Sequence, residues 1–292
     1  MSNITATIYG GGSFYSGGQT VVDDLKSSGF TTVIAWAVHV EANGDLVYND
    51  PPPIVGNGKY IGDSKWPGCL ANLKQGGSVN RLLFSIGGWG VRDFSNIHQL
   101  GTGPDSILYR NFKALKDAIP AIDGIDLDDE ESPYNKETIV GFSQMLHTLG
   151  CQVTFCPYNN QDFWINCLYA LNSKTPDLVT GFNLQCYAGG AGNDPQVWIN
   201  AIKQKMGPRF PAAAFVYPGL ACRSKDQDKR CMQGDCPDDI TSKLKRWKST
   251  GIQGGFIWLY DDIQKCSDSG SCPGRMDTAA YAGAILKALQ EA

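Results

Sequence analysis

Asp123-Gly124-Ile125-Asp126-Leu127-Asp128-Asp129-Glu130 interleaves acidic and apolar residues inside a stretch that otherwise reads as a buried β-strand. Strand side chains alternate faces, so Asp126, Asp128 and Glu130 point one way while Ile125 and Leu127 point the other. Two carboxylates about 5 Å apart at an effective dielectric near 20 repel by roughly 3 kcal/mol, about two pKa units. The three cannot all be ionised at neutral pH, and a proton kept in such a stack holds one acid ready to donate. Glu130, last in the row and with the longest reach, is the candidate donor. Two other readings compete. A divalent-metal site wants a flexible oxygen-rich loop, whereas these acids alternate with Ile and Leu. A solvated acidic turn would not carry apolar residues on its opposite face.

Outward from this strand, short β-rich runs alternate with amphipathic stretches eight times, the pattern of parallel βαβ units. The strands are expected near Ala6–Gly10, Thr32–Val40, Arg81–Ser85, Gly124–Asp128, Gln152–Pro157, Val179–Tyr187, Ala212–Tyr217 and Gly255–Tyr260. Helices are expected over Gln19–Ser28, Ile107–Ala118, Lys136–Leu149, Asp162–Leu171, Pro195–Met206, Asp238–Thr250 and Thr278–Gln290. Neither a linker nor a low-complexity segment divides the chain, which favours a single α/β domain of 292 residues, one closed (β/α)8 TIM barrel. Glu41–Pro67 is a long excursion after the second strand, with an Asn43-Gly44 turn and prolines at 51 to 53. It reads equally as one wall of a substrate groove or as a plain surface loop.

Hydrophobic residues make up 42% and charged residues 18% of the chain, a compact globule rather than a disordered one. With a net charge of −4 and no Lys/Arg cluster interleaved with aromatics, no nucleic-acid partner is expected, and a neutral substrate is. No apolar run approaches the ~20 residues of a membrane span, and Met1 to Gly10 has neither the basic nor the apolar region of an export leader. Ten cysteines nevertheless suit a secreted protein. Cys222, Cys231 and Cys236 fall in one loop and Cys266 and Cys272 in another, with Cys266–Cys272 the expected bridge. A zinc cluster is the rival reading of the first group, weakened by the lack of a Cys-x-x-Cys pair. Cys151, Cys156, Cys167 and Cys186 read as buried thiols. His39, His98 and His147 are not spaced as ligands, so neither a metal nor a cofactor is expected.

Barrels of this kind carry their reacting groups at the C-terminal ends of the strands. The first strand ends at Tyr9, and the third gives Ser85-Ile86-Gly87-Gly88-Trp89, whose small residues let backbone and ligand approach closely. In the sixth, Asn183, Gln185 and Tyr187 share a face; the eighth directs Trp258 inward. Tyr158 and Tyr217 near strand ends read equally as packing or as sugar-stacking rings, and so do Trp36, Trp89 and Tyr260. Trp66, Trp164, Trp198 and Trp247 read as core or surface filler.

The eight-residue stretch resembles the D-x-x-D-x-D-x-E signature of family 18 glycoside hydrolases, the chitinases and endo-β-N-acetylglucosaminidases, and Ser85-x-Gly87-Gly88 resembles the family's second signature. The resemblance implies hydrolysis of chitin or another N-acetylglucosamine-containing oligosaccharide with the substrate's own acetamide as nucleophile, an exception to the usual two-carboxylate route. It implies that Glu130 is acid and then base, that Asp128 holds the acetamido N–H, that Tyr187 holds the acetamido oxygen, and that Asp126 shares a proton with Asp128. Trp258 would underlie the reacting sugar, Asp123 and Ser85 would support the carboxyl network, and Tyr9, Gln185, Asn183, Gly87, Gly88, Trp89, Tyr158 and Tyr217 would contact substrate. Asp123 fits least, because its parity differs. Asp129 stands where many chitinases have an aliphatic residue, a feature shared with endoglycosidases acting on N-glycans. Gln185-x-Tyr187 resembles the compact plant-type and fungal-type enzymes. Too few residues separate the last two strands for an inserted domain, so an open cleft and an endo-acting monomer are expected. A non-catalytic lectin is the third reading, disfavoured by the presence of Glu130.

Overall fold

The computed structural model describes residues 4–290; the two ends of the expected 292-residue domain, including the first residues of the Met1 to Gly10 stretch, lie outside them. Eight parallel strands form its centre: β1 (Thr5–Gly10), β2 (Thr32–Val40), β3 (Arg81–Gly87), β4 (Gly124–Asp128), β5 (Gln152–Phe155), β6 (Val179–Gln185), β7 (Val216–Ala221) and β8 (Gly254–Trp258). Each pairs with its neighbours in parallel, and β1 pairs with both β2 and β8, so the sheet closes on itself. The outer layer is built from α1 (Gly18–Ser28), α2 (Trp66–Leu73), α3 (Ile107–Ala118), α4 (Lys136–Thr148), α5 (Gln161–Asn172), α6 (Pro195–Met206), α7 (Pro237–Trp247) and α8 (Thr278–Gln290). The chain is a (β/α)8 barrel.

Local sequence explains where the helices start. Ser106, Asn135 and Asp194 each accept a backbone N–H from the first turn of α3, α4 and α6, and α6 also has Pro195 at its first position. The large core lies between sheet and helices and takes in Trp66, Trp164 and Trp198, with Trp247 packed against it. A smaller cluster fills the barrel itself: Tyr9, Ile34, Leu83, Cys156 and Phe256, with Trp36, Tyr187 and Trp258 packed on its upper side. That inner plug is the floor on which the barrel mouth stands.

Three expectations need correcting. The seventh strand begins at Val216, because Ala212–Phe215 forms a helical turn before it. A run of three alanines satisfies a helix as readily as a strand, and Phe215 is buried in either state. The Cys266–Cys272 bridge does not form. Cys231 joins Cys266 and Cys236 joins Cys272, because the hairpin that follows β7 (Ser224–Lys225 with Cys231–Gln233) packs beside the short helix Tyr260–Cys266. Those two bridges also dispose of the zinc reading: Cys222 is left as a buried free thiol, as are Cys151, Cys156, Cys167 and Cys186. The excursion after β2 adds three short antiparallel strands, Leu46–Tyr48, Val55–Gly56 and Lys59–Tyr60, to the edge of that strand. Tyr48 donates to the carbonyls of Gly10 and Gly11, and Asn49 to that of Trp36, so the excursion buttresses the barrel rim from outside. Among the described residues no helix is long and apolar enough to cross a membrane.

Candidate active site

The acidic stretch ends at the C-terminal mouth of the barrel, as alternation along β4 requires. Asp128 and Glu130 open into a cleft of about 560 Å3 whose other walls are Trp36, Gly88, Trp89, Tyr158, Gln185, Tyr187, Ala188, Gly189 and Trp258. Trp258 and Tyr187 lie nearly parallel, 20° between planes and 6.1 Å between centroids, and Trp36 meets Trp258 edge-on at 4.9 Å. These rings give a flat apolar surface beside two carboxyl groups, the arrangement that accepts a sugar by its apolar face while leaving its polar edges to the acids. Trp89 stands at the rim and is 86% exposed. The peptides after Trp36 and Trp258 are cis.

Asp126 lies one layer below and is fully buried. Its Oδ2 accepts the Tyr9 hydroxyl and the Ser85 hydroxyl, both at 2.9 Å; its Oδ1 accepts Thr154 at 2.6 Å and Asn183 Nδ2 at 2.9 Å. Strand register makes this possible, since Asp126 sits directly between Ser85 on β3 and Thr154 on β5. Burial raises its pKa, and the four donors pull it back. None of those donors is Asp128, so the expected shared proton between the two aspartates is not what the structure shows. Asp128 instead turns upward. Burial pushes its pKa well above the ordinary value, with the Glu130 charge next and the Asp126 charge third, opposed by the Cys156 thiol. Burial also raises Glu130, while hydrogen bonds from Gln185 and Asp128 lower it. Both carboxyl groups of the cleft are thus shifted toward the protonated form. The buried Trp36 indole on the same wall also lowers Asp128, although its N–H makes no well-formed hydrogen bond.

Gly87 fixes how close β3 comes to this point. Its φ is +104°, and a Cβ there would lie 2.2 Å from the Asp128 carbonyl oxygen, which accepts the Gly88 N–H at 2.8 Å. Only glycine meets both demands.

Of the residues singled out from sequence, Glu130, Asp128, Tyr187, Trp258, Gln185, Gly88, Trp89 and Tyr158 come together in the cleft. Asp126, Tyr9, Ser85, Asn183 and Gly87 form the layer beneath, so Tyr9, Ser85, Asn183 and Gly87 support the carboxyl groups and do not line the cleft. Two belong elsewhere. Asp123 precedes β4, is ion-paired with Lys74 at 2.6 Å and accepts the Leu82 N–H, all at the opposite end of the barrel. Its odd parity and its place before the strand both keep it from the mouth. Tyr217 is likewise at the start of β7, opposite Asn183 and packed over Gly181 and Gly254, because the strand begins later than expected. The residues that reasoning passed over are Thr154, Cys156 and Ala188-Gly189. Thr154 and Cys156 carry the same two-residue alternation that flagged the acids, and an alignment of β5 against β4 by parity would have found them.

Beside the cleft, and sharing Tyr187, Ala188 and Trp258 with it, is a second hollow of about 580 Å3 lined by Ser224, Gln233, Asp235, Lys243 and Asp262. The disulfide-pinned hairpin after β7 supplies its outer edge. Among the described residues no cluster of His, Cys, Asp and Glu has the makings of a metal site.

No family model and no curated protein matches this sequence. Solved structures do. The catalytic domain of a hyperthermophilic chitinase from Pyrococcus furiosus superposes with a TM-score of 0.71 at 11% identity, covering 99% of this chain and 95% of that one. The Group IV chitinase of Ostrinia furnacalis gives 0.62 at 12% identity, covering 99% and 100%. A chitinase from Bacillus thuringiensis gives 0.64 at 14% identity, covering 99% and 70%. At such identities the likeness is one of architecture, and it is complete: from first strand to last helix this chain has the fold of chitinase catalytic domains.

Proposed function

We propose that this protein is a family 18 glycoside hydrolase that cuts β-1,4 linkages in chitin and N-acetylglucosamine oligomers, within the chain and with retention of configuration. The reading is carried by one observation: Asp128 and Glu130 open, with Tyr187 and Trp258, into a single cleft at the strand ends. The sugar lies on Trp258. Glu130 gives its proton to the glycosidic oxygen as the bond to C1 breaks, and the acetamido carbonyl oxygen closes on C1 to form an oxazolinium ion. Asp128 holds the acetamido N–H and balances the positive charge, while the Tyr187 hydroxyl steadies the acetamido oxygen. Glu130 then takes a proton from water, whose oxygen attacks C1 from the face the leaving group vacated. The chemistry needs neither metal nor cofactor. Only a hairpin, α7 and a short helical turn separate β7 from β8, too little for an inserted domain, which supports internal cleavage of a long chain.

The test is turnover of chitin oligomers by Glu130→Gln. A positioned acid–base group contributes about 10²–10⁴-fold, so turnover should fall by that factor while oligosaccharide binding persists. Proton NMR of the first products should show the β-anomer; initial α-anomer would rule out the oxazolinium route. A second reading, cleavage of the chitobiose core of N-glycans, draws on the polar hollow beside Trp258, which leaves room for a branch. Matched chitin-oligomer and high-mannose glycoprotein substrates separate the two. Binding of oligosaccharide without any turnover of either would leave a lectin.

A further inference from the structure

Gln185 ends β6, and both its backbone groups are pinned: its N–H donates to Pro157 O at 2.9 Å, and its carbonyl accepts Asn193 Nδ2 at 2.8 Å. The side chain then has one place to go. Its amide nitrogen lies 3.0 Å from Asp128 Oδ1 and 3.1 Å from Glu130 Oε1, with the Cys156 carbonyl at 3.3 Å as a weaker third acceptor. A carboxamide nitrogen has two hydrogens and no acceptor capacity, so it can serve both carboxyl groups at once.

We propose that Gln185 is a positioning residue that yokes Asp128 to Glu130, solvating the single negative charge of the pair whichever of the two acids holds the proton. This goes beyond the substrate contact expected from sequence and rests on the hydrolytic reading above. With one donor between them, the charge can pass from one acid to the other during the reaction without either being left bare in a buried site. A methionine there would fill the same space and do neither.

The groups that face this pair from the surrounding strands are Asp126 below it on β4, Tyr9 on β1, Cys156 beyond β5 and Tyr187 beyond β6. Asp129 and Tyr134 approach Glu130 from the outer side. The Tyr9, Cys156 and Tyr187 groups are neutral, their pKa values raised by burial. Arg81, at the start of β3, is influenced by Asp126. Gln185 is thus the amide donor that bridges the two cleft carboxyl groups.

In Gln185→Met, loss of a donor to the charged form raises both ionisations of the pair. Both limbs of the kcat/KM profile should move to higher pH by about one unit, the scale of one hydrogen bond to a charged group. An unshifted profile, or a change in KM alone, would return Gln185 to the status of a substrate contact. A readout in the unaltered protein guards against misfolding of the variant. The Gln185 side-chain 15N resonance should track the titration of the carboxyl pair, and a flat resonance across that range overturns the yoke. This titration needs no substrate. Absence of activity on chitin oligomers would therefore sink the hydrolytic reading while leaving the yoke independently measured.

Discussion

Replacing Asp126 tests whether the layer beneath the cleft is held by one carboxylate. Four donors converge on it, two on each oxygen, and all four partners except Tyr9 come from β3, β5 and β6. Asp126→Ala leaves a hole the size of a carboxyl group, which one water can occupy while accepting two of the four hydrogen bonds. Two buried donors remain unmet at about 1–3 kcal/mol each, and the expected loss of stability is about 3–5 kcal/mol. Asp126→Asn behaves differently. Asn183 Nδ2 can only donate, so the new amide must keep its oxygen toward Asn183 and Thr154 and turn its nitrogen toward Tyr9 and Ser85. Those two are hydroxyls and can rotate to accept, which limits the loss to about 1 kcal/mol. Urea unfolding with an unchanged slope reads both numbers. If Asn proves as damaging as Ala, or if Ala costs under about 1 kcal/mol, the four-donor account of this layer is wrong.

Asp129, between the two cleft acids but facing outward, is buried, and burial pushes its pKa up to about 7 despite the Glu131 N–H it accepts. A folded value above the unfolded one, near 4, means the folded protein holds the extra proton between those two pH values. Its stabilising contribution is then present below about pH 4 and lost as pH rises through about 7, with an upper bound of about 4 kcal/mol. Asp129→Asn should accordingly flatten the fall in stability between pH 4 and 7 measured by urea unfolding, and an unchanged slope would refute the assignment. The two disulfides close loops of 35 and 36 residues between the β7 hairpin and the segment after β8. Loop-closure entropy puts each at about 3–4 kcal/mol, so the Cys236→Ala/Cys272→Ala variant should lose a large part of that in the same assay, and a loss under 1 kcal/mol would show the segment to be held by packing.

How much of this was legible depends on where each residue gets its neighbours. The barrel followed from period alone: Ile107–Ala118 and Pro195–Met206 are helices over the expected residues, since capping and apolar spacing are local. Alternation placed Asp126, Asp128 and Glu130 on one face because a strand has only two. Tyr217 was misplaced for the same local reason, since nothing in Ala212-Ala213-Ala214 tells a helical turn from a strand. The disulfides were not legible at all: pairing depends on two loops, more than thirty residues apart, lying side by side. Nor was the place of Gln185, whose two carboxyl acceptors are both 55 or more residues away.

Period also misled about the proton. Seen as a row, three evenly spaced acids invite one proton shared along the line, between Asp126 and Asp128 as readily as between Asp128 and Glu130. The barrel breaks that equivalence by surrounding the acids differently. Asp126 finds four neutral donors within its own layer, which offset part of the cost of burying its carboxyl group at the centre of the barrel. Asp128 is just as buried but meets fewer donors and two negative neighbours, so it is the one driven toward the protonated form. Its nearest outlet is Glu130, half out of the protein and bridged to it by Gln185. Burial, then Glu130, then Asp126 below raise Asp128, so the acid most shifted toward the protonated form is one that faces the cleft. Geometry that looks like a repeat in the sequence functions as a gradient in the fold.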